Sequence, residues 1–158
     1  MKKTNWKTYA LGILFTEAVG ALSGWLTREG SRQFSQTVLQ PPLSPPAAVF
    51  PIVWGILFAL MGISAARIWL TPQSAERSRG LNLFIAQLIV NFFWSLIFFN
   101  AQAYGFALLW LILLLVLVIA MVLTFAKTDK AAALLQIPYL LWLFFAAYLN
   151  WGVWQLNG

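Results

Sequence analysis

Five long apolar runs, separated by short polar segments, dominate the chain. They cover roughly Thr8–Leu26, Val49–Leu70, Leu81–Phe99, Tyr104–Ala126 and Ala131–Trp154, and each is close to the roughly 20 residues that a helix needs to cross about 30 Å of hydrocarbon. The polar segments between them are a long connection over Thr27–Ala48, a loop over Thr71–Gly80, and two short turns, Asn100–Ala103 and Lys127–Lys130. The pattern predicts an all-α polytopic membrane protein: one domain over residues 1–158, built as a bundle of five transmembrane helices. The first run follows a basic start, as a secretory signal does. Glu17 interrupts it, however, and it is long for an h-region of about 7–15 residues, which predicts a retained first helix.

Polar residues inside these runs are costly in lipid, so each asks for a reason. Glu17 lies near the middle of the first run, where a charge costs on the order of 2.5–3.5 kcal/mol on insertion scales. It predicts either a buried hydrogen bond to a neighbouring helix or a ligand or proton role. On the same helix Gly12, Thr16, Gly20 and Gly24 recur every fourth residue and form a small-residue ridge. Such a ridge suits close packing within the bundle, or a dimer contact. In the third run Gln87 and Asn91 share a face with Trp94, a placement that suits interhelical hydrogen bonding and pocket lining equally. Pro138, a third of the way into the fifth run, predicts a kink. Beyond it Trp142, Phe145, Ala146, Leu149 and Asn150 follow helical spacing on one face. The second run carries its own stripe, Trp54, Phe58 and Met61, and is introduced by Pro41-Pro42-Leu43-Ser44-Pro45-Pro46, which predicts a stiff, extended lead-in.

Composition narrows the chemistry. Hydrophobic residues make up 61% of the chain and charged residues 9%, against about 45–50% and about 25% in soluble domains, so a water-facing surface cannot be built from this inventory. The sequence contains no histidine and no cysteine, which removes disulfides, thiolate chemistry, His-ligated metals and every His-based general base. The surplus is aromatic: 9 Trp, 13 Phe and 4 Tyr. Trp6, Trp25, Trp69 and Trp154 fall near span ends, where interfacial anchoring accounts for them. Trp54, Trp94 and Trp142 fall on the faces just described, and Trp110 and Trp151 are not placed by the pattern.

The basic residues set orientation. Lys2, Lys3, Lys7, Arg67, Arg77, Arg79, Lys127 and Lys130 gather on one side of the bundle and Arg28 and Arg32 on the other. The positive-inside rule then places the N-terminus in the cytoplasm and the C-terminus and first loop outside, in a bacterial inner membrane. The formal net charge of +6 reads as this topology, with membrane lipid as the partner; the basic residues are too dispersed for a nucleic-acid site.

Taken in order, these residues resemble the TspO/MBR family, the translocator protein or tryptophan-rich sensory protein family that includes the former peripheral benzodiazepine receptor. The resemblance rests on Gln40-Pro41, Pro45-Pro46, Val53-Trp54 and Phe58, on Gln87-Leu88 with Asn91, Trp94 and Phe98-Phe99, on Gly105 and Ala107-Leu108, and on Pro138-Tyr139-Leu140 through Trp142, Phe145-Ala146 and Leu149-Asn150. It implies a five-helix bundle, often a homodimer, with a pocket capped by the first loop, here residues 27–48 with Pro41, Pro45 and Pro46. The implied pocket is lined by Trp54, Phe58, Asn91, Trp94, Trp142, Phe145, Ala146 and Leu149. It implies binding of porphyrins such as protoporphyrin IX and related hydrophobic ligands, without a required cofactor or metal, for tetrapyrrole sensing, transport or regulation. The propionates would lie near the loop, where Arg28 and Arg32 stand.

Two further readings follow from the resemblance. One is a light-dependent porphyrin-degrading enzyme with Trp54 and Trp142 as the radical-bearing side chains. The other is a stress-signalling scaffold docking a partner through Thr71–Gly80, with Glu76, Arg77 and Arg79. The chain departs from the family pattern at Leu43, where a tryptophan is usual, at Phe34-Ser35 in place of a Trp-Tyr pair, and at Phe106, where animal members often have tryptophan. The stretch Leu149-Asn150-Trp151-Gly152-Val153-Trp154-Gln155 lacks the tyrosine and the basic residue of a cholesterol-type motif, and cholesterol transport is not expected.

Overall fold

The computed structural model describes residues 5–158; Lys2 and Lys3, counted above in the basic start, lie outside the described residues. The elements are α1 (Asn5–Leu26), α2 (Arg28–Thr37), α3 (Val49–Trp69), α4 (Ala75–Ser95), a π-helical turn (Leu96–Asn100), α5 (Tyr104–Ala126), α6 (Lys130–Leu135) and α7 (Ile137–Asn157), with no strand among the described residues. Five helical units are long and apolar enough to cross a membrane: α1, α3, α4 with its π turn, α5, and α6 with α7. The chain is an all-α, five-helix integral membrane protein. Its apolar outer surface, with Leu11, Leu14, Phe15, Ile52, Ile56, Leu109 and Val116 all exposed, is what lipid contact requires.

Three boundaries differ from the sequence pattern. The first connection is not all loop, because Arg28–Thr37 forms a helix. The polar loop over Thr71–Gly80 is shorter, because Ser74 caps α4 by accepting from the Arg77 N–H at 3.0 Å, which satisfies an otherwise orphan donor and starts the helix at Ala75 instead of Leu81. The fifth unit is broken rather than kinked. Pro138 sits in the first turn of α7, where a missing N–H costs nothing, and α6 ends at Leu135, with Gln136 between the two helices.

The small-residue ridge of α1 packs within the molecule. Gly12 abuts Gly62 so closely that a Cβ on Gly62 would stand 2.6 Å from the Gly12 backbone, and Gly20 lies under the Phe58 ring. Between them Thr16 Oγ1 donates to the Phe58 carbonyl at 2.6 Å. Gly24 faces open space. At the opposite end from the first loop, Arg67 of α3 pairs with Asp129 at 2.8 Å, and Asp129 also accepts from the Ala131 N–H at the start of α6. That contact fixes α3 to α6 and places both at the same face of the bundle. The core proper is built from Met61, Ile68, Leu111, Leu114, Val118, Met121, Phe125, Tyr139 and Leu143, all fully buried.

Candidate functional site

α2 lies across one end of the bundle because two of its residues are matched to the π turn below. Gly30 lets the backbone approach the Phe99 carbonyl and Asn100, where a Cβ would stand 2.6 Å from each. Phe34 sets its ring 5.3 Å from both Phe98 and Phe99. The lead-in beyond α2 is fastened to α7. Asn157 donates to the Leu39 carbonyl at 2.8 Å and accepts from the Leu39 N–H at 3.1 Å. Tyr148 donates to the Pro42 carbonyl at 2.8 Å, and Gly152 admits the Pro41 ring against its backbone. Leu43 projects at the tip with φ of 72° and 81% exposure, so the lead-in turns at this residue instead of running straight.

Under this lid is a cavity of about 580 Å³, walled by α1, α2, α3, α4, the π turn and α7. That volume is within the usual range for small-molecule sites, about 300–1,000 Å³. One wall is aromatic: Phe50, Trp54 and Phe58 from α3, Trp94 from α4, Phe34, Phe98 and Phe99, and Trp142 from α7. Trp54 packs against Phe58 at 5.6 Å and Trp142 against Phe50 at 6.0 Å. The wall on the α1 side is small and polar, with Gly20, Ala21, Ser23, Gly24 and Thr27, and it includes Glu17.

Buried amides hold the floor. Asn91 donates to the Tyr139 hydroxyl at 2.7 Å, and that hydroxyl donates to Gln87 Oε1 at 2.7 Å. Trp94 Nε1 donates to Asn150 Oδ1 at 3.1 Å, while Asn150 Nδ2 donates to the Tyr104 carbonyl at 2.9 Å. Asn91 and Asn150 therefore join helices and line the cavity at once. Gln87 lies behind the wall, in the core.

Of the residues expected in the pocket, Trp54, Phe58, Asn91, Trp94, Trp142, Ala146 and Leu149 line the cavity. Phe145 does not: it turns away beside Trp142 and stacks at 6.3 Å with Tyr148. Among the lid prolines, Pro45 lines the cavity, whereas Pro41 is the anchor on Gly152. Of the two arginines expected near the loop, Arg28 reaches the cavity; Arg32 pairs with Glu29 at 2.7 Å outside it. No pattern in the sequence marks Asn157, Gly152 and Tyr148 as lid anchors, or Ser31, Ser35 and Ser44 as residues of the wall.

The model of the TspO/MBR family matches residues 12–155. The chain belongs to this family. It is 38% identical over 151 residues to the tryptophan-rich protein TspO of Chlorobaculum tepidum, covering 95% of this chain and 96% of that one. It is 34% identical over 152 residues to the translocator protein of Ovis aries, covering 94% and 89%. It is 36% identical over 119 residues to the protein CrtK of Rhodobacter capsulatus, covering 75% and 74%. In this TspO/MBR member the matched segment contains every residue that lines the cavity, together with the Gly30 and Phe34 contacts that seat the lid.

Proposed function

We propose that the cavity binds a porphyrin of the protoporphyrin IX class, or a related flat hydrophobic molecule, for tetrapyrrole sensing, transport or regulation. The observation that carries this reading is the pairing of a planar aromatic wall, Trp54 and Trp142, with a single guanidinium, Arg28, at the lid end. Rigid aromatic side chains give large contact area at low entropy cost, which suits a planar macrocycle. Arg28 gives a carboxylate tail a charged partner near the interface. The described residues of the cavity wall include no His, Cys, Met or Tyr, the side chains that usually ligate haem iron, and so the metal-free porphyrin is the preferred ligand. The test is titration of the purified protein with protoporphyrin IX, following Trp quenching and the Soret band. Weakening on Trp54→Phe plus Trp142→Phe is expected, and unchanged binding in that double variant would overturn the site.

A second reading has specific support in two of the three indoles that line the cavity: light-driven oxidation of the bound porphyrin through Trp54 and Trp142. Illumination with and without oxygen distinguishes it, since a defined product over many turnovers supports catalysis and simple bleaching does not. The basic residues Lys7, Arg67, Arg77, Arg79, Lys127 and Lys130 stand at the bundle end away from the lid, and they support a cytoplasmic N-terminus in a bacterial inner membrane. A homodimer is part of the same proposal, and native mass spectrometry of gently extracted protein reads both oligomer and co-purified ligand.

A further inference from the structure

The chain has four acidic residues, and three are accounted for by ion pairs: Glu29 with Arg32, Glu76 with Arg79 and Asp129 with Arg67. Glu17 is the fourth. It lies in the middle of the α1 span, lines the cavity, and has neither a salt bridge nor a side-chain hydrogen bond among the described residues. Thr16, its neighbour, is tied to Phe58 on α3, so the ridge that packs α1 also fixes the direction in which Glu17 faces. Next to it the wall is Gly20 and Ala21, which leaves room for a ligand group to reach the carboxyl. The other charged residue of the cavity, Arg28, stands at the start of α2, at the lid end.

A carboxylate at mid-membrane depth with no partner is expensive, and a cation brought by the ligand offsets that cost in a setting where water competes poorly. We infer that Glu17 makes the cavity selective for ligands carrying an ammonium or another strong N–H donor at the end opposite Arg28. The ligand class is then a planar hydrophobic amine, or a zwitterion whose anionic end meets Arg28. This inference rests on the cavity being a ligand site, as proposed above, and adds a charge preference that the aromatic wall does not supply.

The experiment uses the full chain in phosphatidylcholine liposomes, with three planar probes: 1-pyrenemethylamine, neutral 1-methylpyrene and pyrene-1-carboxylate. Binding is read as saturable Trp-to-pyrene energy transfer, corrected with protein-free liposomes for partitioning into lipid. The amine is expected to bind about tenfold more tightly than methylpyrene. Glu17→Gln should abolish the preference for the amine over methylpyrene, and Glu17→Asp, which keeps the charge, should retain it. Equal binding of amine and methylpyrene by the unmodified protein overturns the inference and leaves the cavity reading standing, whether or not any variant folds. A preference that survives Glu17→Gln overturns it as well. Absence of saturable transfer with all three probes overturns both this inference and the ligand-site reading beneath it.

Discussion

Asn91 donates to the hydroxyl of Tyr139 at 2.7 Å, so a residue of the cavity wall is held by one that is wholly buried in the core. The same hydroxyl donates to Gln87 Oε1, and Gln87 Nε2 has no protein partner. Among the described residues Tyr139 is therefore the single hydrogen-bond partner of the Gln87 side chain. Tyr139→Phe should lower stability by about 1–2 kcal/mol, the upper part of the range for interhelical hydrogen bonds in membranes. It should also weaken ligand binding, because Asn91 loses the partner that orients it. Thermal unfolding in detergent checks the first outcome and porphyrin titration the second.

Close approach of α1 and α3 depends on two glycines. A side chain at Gly62 meets the backbone of Gly12 and Ile13 at 2.6 Å, and backbone cannot rotate away as a side chain can. Gly62→Val should therefore separate the helices, break the Thr16–Phe58 hydrogen bond and cost on the order of 1–3 kcal/mol, the range for overpacking. Gly24, on the same ridge, meets nothing within 4 Å, and Gly24→Ala should hold or slightly raise the unfolding temperature. Equal losses in the two variants would contradict this assignment of the ridge.

The five spans were legible in the sequence because twenty-residue apolar runs have one physical use. The lid helix was not. Arg28–Thr37 is polar apart from Phe34 and reads as a loop; what makes it helical is tertiary, Phe34 against Phe98 and Phe99 and the close approach at Gly30. The i,i+3 pair Glu29–Arg32 was the local signal available for it. Phe145 was misplaced for a geometric reason. At about 100° per residue it falls about 60° to one side of Trp142, whereas Ala146, Asn150 and Val153 fall about 20–80° to the other. The cavity is centred on that second side, so an i+3 spacing shared a helix face without sharing the wall.

The lid is fastened at one edge by few contacts, which makes its opening testable. Asn157→Leu removes both hydrogen bonds to Leu39, and Gly152→Val places a branched side chain where the Pro41 ring now rests. Neither residue lines the cavity. Both variants should speed porphyrin release several-fold with little change in association, since most affinity differences between related complexes lie in the off-rate. Stopped-flow dissociation measures this, and hydrogen exchange should rise over residues 38–48 alone. Slower release, or exchange spread through α7, would mean that these contacts stabilise the bundle and do not gate the lid.

Gly55 gives the sharpest separation of cavity from fold. It lines the cavity from α3, between Trp54 and Phe58 on the chain, and a Cβ built on it meets nothing within 4 Å. Gly55→Phe should place its ring in the space assigned to the ligand, and because its Cβ meets no neighbour the cost to the fold should be small. A glycine in a helix interior is itself less favourable than most residues by about 0.5–1 kcal/mol, and relief of that penalty opposes any loss. The unfolding temperature should therefore hold or rise, while porphyrin affinity falls at least tenfold and the saturable part of Trp quenching disappears. A variant that folds as well as the parent and still binds porphyrin at the parent's affinity would show that the ligand lies elsewhere.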